Sequence, residues 1–597
     1  MKKRVSILTF QVLLPLMLSL YLAAPGMATT AVMLTDEDLI TSSRLIVLGD
    51  VLSTRSQFDH RQEQIYTYVQ LQVVTVYKGR LRSDKLVIKQ LGGRVGDEVS
   101  LIFGAPEFQP GQRVLLFLDA DANGILRTAH LFQGKYDVVT DQATGEAYVE
   151  RKIDARSVHL LGEKRSELVT DKAPLSLFTD KIRKTLRAGA AANEEQGRAK
   201  PIVETPPEYA GTESARSGQD QVDPSFALIG PGYRWTEPDV GGVVLYWINP
   251  SSPSPVGGDG LTEVNQGFAA WNDVPTSSIR LQFNSYVFNA YGLAHDGYNL
   301  ISYNDPRDQI QDPVNCTGIG ALSSLVYTTN QISYANGRAF YRIREADTVF
   351  NRNFECFLGI PANFAEVSCH ETGHTIGFDH SNVTTRAPGD DPIMREAAHG
   401  NGRGARLGFD DVLGVTYVYP MPGNPIDDAR YFVGWHYRDI LDREPDFDGW
   451  NFWTGEITQC GSNAGCIYGK RIDVARAFFY SGEFISMNPR LADSNRGTPD
   501  YNEAFVQQCY LRYWKRPMDS TYWVDYLNNN RPNNDGHYNT VLEAFITDYQ
   551  YRSRFGSEPL SCDPAQEQNC YAQGGTWDSA SCSCSYGNPC GWGQICQ

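Results

Sequence analysis

Residues 370–380 read HETGHTIGFDH and gather three of the chain's ten histidines into one short stretch. On a helix His370 and His374 stand four apart, so both imidazoles project from one face, about one turn from each other. Two neutral imidazoles at that spacing can hold one zinc ion through nitrogens at about 2.0–2.1 Å. Glu371 lies one position on, rotated by about 100°. It can therefore flank the metal without ligating it and reach a zinc-activated water. Gly377 accepts positive φ at little cost, which lets the helix end and the chain reverse. The reversal brings His380 back as a third ligand. Three protein ligands leave one zinc position open, as in a catalytic rather than a structural site. With Gly377 and His380 at fixed offsets, chance occurrence falls to the order of one in 10⁵.

Such side chains need strands and helices to hold them, and the flanking sequence carries the signals. Val243–Ile248 reads as a buried strand, Val264, Phe268 and Trp271 share a helix face, and Asn299–Tyr303 reads as another strand. This mixture predicts a central α+β domain over 226–422. Ahead of it, 29–187 is β-rich. Val69, Leu71 and Val73 alternate with Gln70 and Gln72, and Lys85–Ile88 and Arg113–Leu118 repeat the strand signal between glycine turns. A small all-β barrel or sandwich is expected there, followed by a short helix carrying Leu177, Ile182 and Leu186. Asp119–Gly124 resembles the start of a calcium loop, but His130 stands where the bidentate Glu is needed, so the segment reads as a hairpin turn. Calcium has no other support. The polar, proline-containing stretch 188–225 reads as a flexible linker.

From 426 to 558 the pattern turns helical and repeats. The phrase beginning at Phe432 matches one beginning at Phe505, and that from Val474 answers that from Val541. Two copies of one all-α unit, packed on each other, are expected. Asp446 and Asp448 read as turn and capping residues rather than metal ligands.

Compartment follows from the ends of the chain. Lys2, Lys3 and Arg4 precede an apolar run ending in small residues, so 1–28 reads as a secretory signal peptide cleaved after Ala28. A retained anchor fits less well, because Gln11, Pro15 and Ser19 interrupt the run. No later stretch has the roughly 18 apolar residues a spanning helix needs. Of 12 cysteines none precedes Cys316, while Cys562, Cys570, Cys582, Cys584, Cys590 and Cys596 crowd into 559–597. That tail has too little core to fold without cross-links and reads as disulfide-rich. Cys460 and Cys466, separated by GSNAG, should pair locally. A net charge of -17 argues against nucleic acid or anionic membrane as the main partner.

HETGHTIGFDH resembles the extended metzincin signature HExxHxxGxxH at every fixed position, and Ser381 after the third histidine resembles the matrixin branch. Asp391-Pro392-Ile393-Met394 looks like that family's Met-turn, which implies that Met394 lies under the zinc without ligating it. LGFDDVLGVTYVYP looks like its closing helix, and segments from Asp296 and Arg344 resemble its upper strands. The likeness covers roughly 230–420. It implies a substrate peptide lying extended along an edge strand near Gly320-Ala321-Leu322. Some family features are missing. With no cysteine before Cys316 there is no cysteine latch on the zinc. Only His295 and Asp296 stand where a second, structural zinc would need several ligands, so none is expected. Glu396 occupies the place of an astacin-type tyrosine. Cys369 reads as a buried structural cysteine or disulfide partner rather than a thiol ligand, because helix geometry points it away from the histidines. Cys316 and Cys356, in the loop-rich upper part of this domain, are expected to pair. The first helical copy resembles a domain of unknown function common in exported bacterial proteins, which implies a bacterial origin.

The expected function is a secreted zinc endopeptidase. Glu371 acts as general base on the zinc-activated water and passes the proton to the leaving amine. Its partners would be protein or peptide substrates, with a cell-surface or matrix partner for the helical repeats. The competing reading is an exported adhesion or scaffold protein whose protease domain is minor or degenerate; an intact Glu371 beside an open metal position weighs against it. An esterase or amidase would need a GxSxG elbow, which is absent. The linker should be the first place cut, which makes the released β domain a candidate prodomain without a cysteine.

Overall fold

The computed structural model describes residues 29–121, 123–142, 144–151, 159–161, 169–190, 226–381, 383, 390–395, 397–531, 534–556, 576–578 and 583–585. The expected signal peptide, most of the expected linker and most of the cysteine-rich tail lie outside them.

The N-terminal region contributes β1 (Thr29–Val32), β2 (Leu45–Asp59), β3 (Gln64–Lys78), β4 (Lys85–Leu91), β5 (Gly93–Val95) and β6 (Glu98–Ile102). It continues with β7 (Arg113–Ala120), β8 (Leu126–Thr128), β9 (Lys135–Thr140), β10 (Ala147–Glu150), β11 (His159–Leu161) and β12 (Lys172–Pro174). Helices α1 (Asp36–Ser42) and α2 (Leu175–Ala190) accompany them. Eight strands form an antiparallel sheet in the order β12-β10-β9-β7-β2-β3-β4, with β8 paired to β7. Its middle strands are covered on both faces. Ile46, Leu48, Leu115 and Phe117 pack under α1 and α2, while Leu45, Val47, Val114, Leu116 and Leu118 pack with Val69, Leu71 and Ile88 on the other side. Two-sided burial explains why β7 is an unbroken apolar run.

Two expectations about α2 need correction. Leu177 is 64% exposed, whereas Phe178 and Ile182, four apart, form the buried stripe. The helix also runs through Ala190, past the expected start of the linker at 188. The Asp119–Gly124 segment joins β7 to β8 as a hairpin, with Asp121 Oδ1 accepting the Asn123 and Ile125 backbone N–H groups.

The central region carries β13 (Tyr233–Arg234), β14 (Val244–Asn249), β15 (Leu281–Tyr286), β16 (Leu300–Tyr303), β17 (Gly318–Ala335), β18 (Arg338–Phe350) and β19 (Ala397–Ala398). Its helices are α3 (Leu261–Asn272), α4 (Glu355–Leu358), α5 (Pro361–Thr375) and α6 (Phe409–Val418). The main path of its sheet is β15-β14-β16-β18-β17-β1-β11-β19, with β6 also on β17 and β5 on β6. The pairs β14–β15, β14–β16 and β16–β18 are parallel, and β17 runs antiparallel to β18. Four strands of the N-terminal region thus complete the central sheet, so the division expected between 187 and 226 does not divide this sheet. Beneath it α3 packs on α5, with Val264, Phe268 and Trp271 buried as their spacing predicts. Gly267 permits the close approach: a Cβ there would stand 3.0 Å from the Cys369 nitrogen.

The helical region contains α7 (Ala429–Leu441), α8 (Phe447–Thr458), α9 (Ala464–Phe479) and α10 (Gly482–Met487), then α11 (Pro499–Tyr513), α12 (Tyr522–Asn529), α13 (Asp535–Thr547) and α14 (Tyr549–Arg552). The repeated phrases fall on corresponding helices: Phe432 and Phe505 are both buried, as are Val474 and Val541. The copies pack through α7 on α11 and α9 on α13. Asp446 caps α8, its side chain accepting the Gly449 N–H at 2.8 Å. Cys316 pairs with Cys356, and Cys460 with Cys466. Among the described residues no helix is long and apolar enough to cross a membrane. In the tail, β20 (Thr576–Asp578) pairs with β21 (Ser583–Ser585).

Candidate metal centre

Helix α5 starts with Pro361 in its first turn, where a missing N–H costs nothing, and buries its C-terminal half completely. His370, Glu371 and His374 all lie there. After Thr375 the chain turns through Gly377, whose φ is +103° and whose missing side chain leaves room for the Tyr233 carbonyl. The return path is held by the Asp379 N–H on the Ala227 carbonyl at 3.0 Å. It delivers His380 to the face shared by His370 and His374. Their Nε2 atoms converge: His374 to His370 is 2.7 Å and His370 to His380 is 2.9 Å.

Hydrogen bonds behind two of the rings aim them. His370 Nδ1 donates to the Ile393 carbonyl and His374 Nδ1 to the Phe378 carbonyl, each at 2.7 Å. A proton held on Nδ1 leaves the Nε2 lone pair free for a metal. All three histidines are 0% exposed. Among the described residues this trio is the group able to hold a metal ion. A three-imidazole set suits zinc, and by ligand type also copper, iron or nickel.

Glu371 meets β17 and β1. Its Oε1 accepts the Thr30 hydroxyl at 2.5 Å and its Oε2 accepts the Ser323 hydroxyl at 2.6 Å. Burial pushes its pKa up to about 7, against the opposing pull of the Ser323 and Thr30 hydrogen bonds.

Met394 is buried beneath α5, its sulfur against Gly373 and beside Trp271. Asp411, at the start of α6, holds the turn in place. It accepts the backbone N–H groups of Ile393 at 2.6 Å, Met394 at 3.1 Å and Gly408 at 2.7 Å. The next hydrogen bond in the chain of supports is the Ser381 N–H on the Met394 carbonyl at 2.7 Å. Cys369 lies on the far side of α5: it is buried, burial pushes its thiol up, and its carbonyl accepts the Trp271 indole N–H at 3.0 Å.

The edge expected to take a substrate peptide is already paired. Gly320-Ala321-Leu322 does not offer an open edge. β18 occupies one side of β17; on the other, β1 pairs with Gly318–Leu322 and β6 with Ser324–Thr328. Phe103, which follows β6, sets its ring 5.4 Å from that of His374. Thr30, Phe103, Ser323 and Asp411 escaped the sequence reading. Only Asp411 lay inside a segment already singled out, and nothing local distinguishes the other three. No protein-family model matches this chain, and no curated protein matches it.

Proposed function

We propose that this chain is an exported zinc-dependent endopeptidase of the metzincin type and matrixin branch. The observation that carries the reading is the convergence of three imidazole nitrogens beside a carboxylate that is not itself one of the converging groups. A closed structural site would use a fourth protein ligand and has no need of a neighbouring base. When bound, zinc supplies Lewis-acid polarisation of the scissile carbonyl and lowers the pKa of water.

The chain's own residues do the rest. Glu371 takes a proton from the attacking water and delivers it to the leaving amine. His370, His374 and His380 would hold the metal, the rings of His370 and His374 fixed from behind by backbone carbonyls. Asp411 and Met394 support them from below. The edge of β17 on which an extended peptide would align is taken by β1 and β6 in this structure. Protein or peptide substrates are the partners in this reading.

The test is metal content and turnover measured together. Purified protein should carry one equivalent of zinc, and His374→Ala should lose zinc and peptide hydrolysis alike. Hydrolysis that survives both chelation and His374→Ala would overturn the proposal.

A further inference from the structure

We propose that the N-terminal region keeps this centre closed, with β1 lying as a tethered strand in the peptide-binding cleft and Thr30 engaging the general base. As regulation, this rests on the endopeptidase reading above; the occupancy of the cleft does not.

The closure is built from several contacts. β1 adds to β17 antiparallel, with Thr29 opposite Leu322 and Val32 opposite Gly318, as an extended peptide would add to a sheet edge. On its other side β1 pairs with β11, and β11 pairs with β19. Two strands of the N-terminal region therefore bridge the gap between β17 and the segment that follows the Met-turn. Thr30 donates its hydroxyl to Glu371 Oε1 at 2.5 Å. With Ser323 on the other oxygen, the carboxylate has its acceptors engaged by protein. The histidines and Thr30 are 0% exposed and Glu371 1%. No macromolecular substrate can reach them in this state.

The strand is anchored to its own region as well as to the cleft. Gln133 accepts the Leu34 N–H at 2.8 Å and donates to the Val32 carbonyl. Ala31 is buried in one apolar cluster with Ile102, Leu131 and Phe132 from the N-terminal region and Ile319, Leu322 and Val349 from the central sheet. Phe103 donates its N–H to the Ser323 carbonyl and covers the His374 ring. A strand held this way competes at an effective concentration on the order of millimolar, so micromolar peptides are excluded. Cutting the chain between α2 and β13 would convert the tethered occupant into a dissociable one.

Two variants of the full chain test this: Thr30→Pro/Ala31→Pro, which removes the Thr30 N–H and hydroxyl and disrupts β1, and Phe103→Ala, which uncovers His374 and keeps β1. The probe is a fluorescent hexapeptide copying residues 29–34, added to zinc-loaded protein. Both variants should bind it at least about tenfold more tightly than the unaltered chain, with unchanged zinc content. Hydrolysis of a quenched peptide library should rise at least about tenfold in parallel. Equal probe binding by the unaltered chain and by both variants would overturn the closure. Tighter probe binding without any hydrolysis would instead uphold the closure and count against the endopeptidase reading.

Discussion

The sulfur of Met394 lies against the Cα of Gly373, one residue before His374 on α5. A Cβ at position 373 would collide with that sulfur and stand 2.8 Å from the Trp271 ring. Gly373→Ala should therefore lower stability by about 1–3 kcal/mol through overpacking and loosen metal retention, because the same helix turn carries His370 and His374. Urea melts together with zinc content after dialysis against a chelator check this. Unchanged values in both would show that the packing under the helix has slack.

Glu371→Gln should separate catalysis from metal holding. The carboxylate is not among the converging ligand atoms, so zinc stoichiometry should match that of the unaltered protein. Peptide hydrolysis should fall by at least the roughly 10²–10⁴-fold that a positioned general base supplies. Zinc-loaded Glu371→Gln protein that hydrolyses peptides normally would remove Glu371 from the mechanism.

Asp411→Asn should weaken the floor of the site. Three backbone N–H groups converge on this buried carboxylate, and an amide can accept on one oxygen only. At least one N–H is left facing a donor, which costs about 1–3 kcal/mol. Faster zinc loss in a chelator challenge and a lower melting temperature are the expected readouts.

Stability should fall as pH rises through neutrality, because of two carboxyls in β18. Burial pushes Glu345 from 4.5 up to about 8 and raises Asp347 well above the usual carboxylate range, although backbone N–H groups oppose the shift at both. A raised folded pKa means that the folded state holds the proton where the unfolded chain has released it. The contribution of Glu345 is therefore fully present below about pH 4.5 and is lost as pH rises through about 8. Melting temperatures between pH 5 and 9 should decline, and Glu345→Gln should flatten the decline. A slope unchanged by the substitution would assign the effect to other groups.

The helical repeats and the central region share a core around Phe409. Its ring meets Trp450 at 5.4 Å and Tyr431 at 5.9 Å, and it lies against Gly434, where any side chain would strike it. Phe409→Ala should lower stability by about 3–5 kcal/mol, with the melting transition of the whole chain shifting as one. A protein truncated after residue 422 would expose this ring and should aggregate. A soluble, zinc-loaded, cooperatively melting fragment would show that the repeats are dispensable for folding.

Much of the candidate metal centre was legible because its logic is local. Histidines four apart share a helix face whatever surrounds them, and a glycine at 377 permits the reversal that brings His380 around. The helical repeat was legible for a similar reason: buried aromatic positions recur within each unit, and each unit folds mainly on neighbours in sequence. Leu177 was misassigned because two stripes on one helix look alike until a partner surface selects one, and α1 with the sheet selected Phe178 and Ile182.

By itself, then, the sequence determined which side chains could gather around a metal and which element would present them. The tertiary structure decided what stands over them. Thr30 and Glu371 are 341 residues apart. A strand as short as β1 carries no periodicity that names its partner, because strand pairing is set by backbone groups common to every residue and by the register a distant edge imposes. That β17 is covered rather than open, with Glu371 already hydrogen-bonded to β1, follows only from bringing those distant edges together.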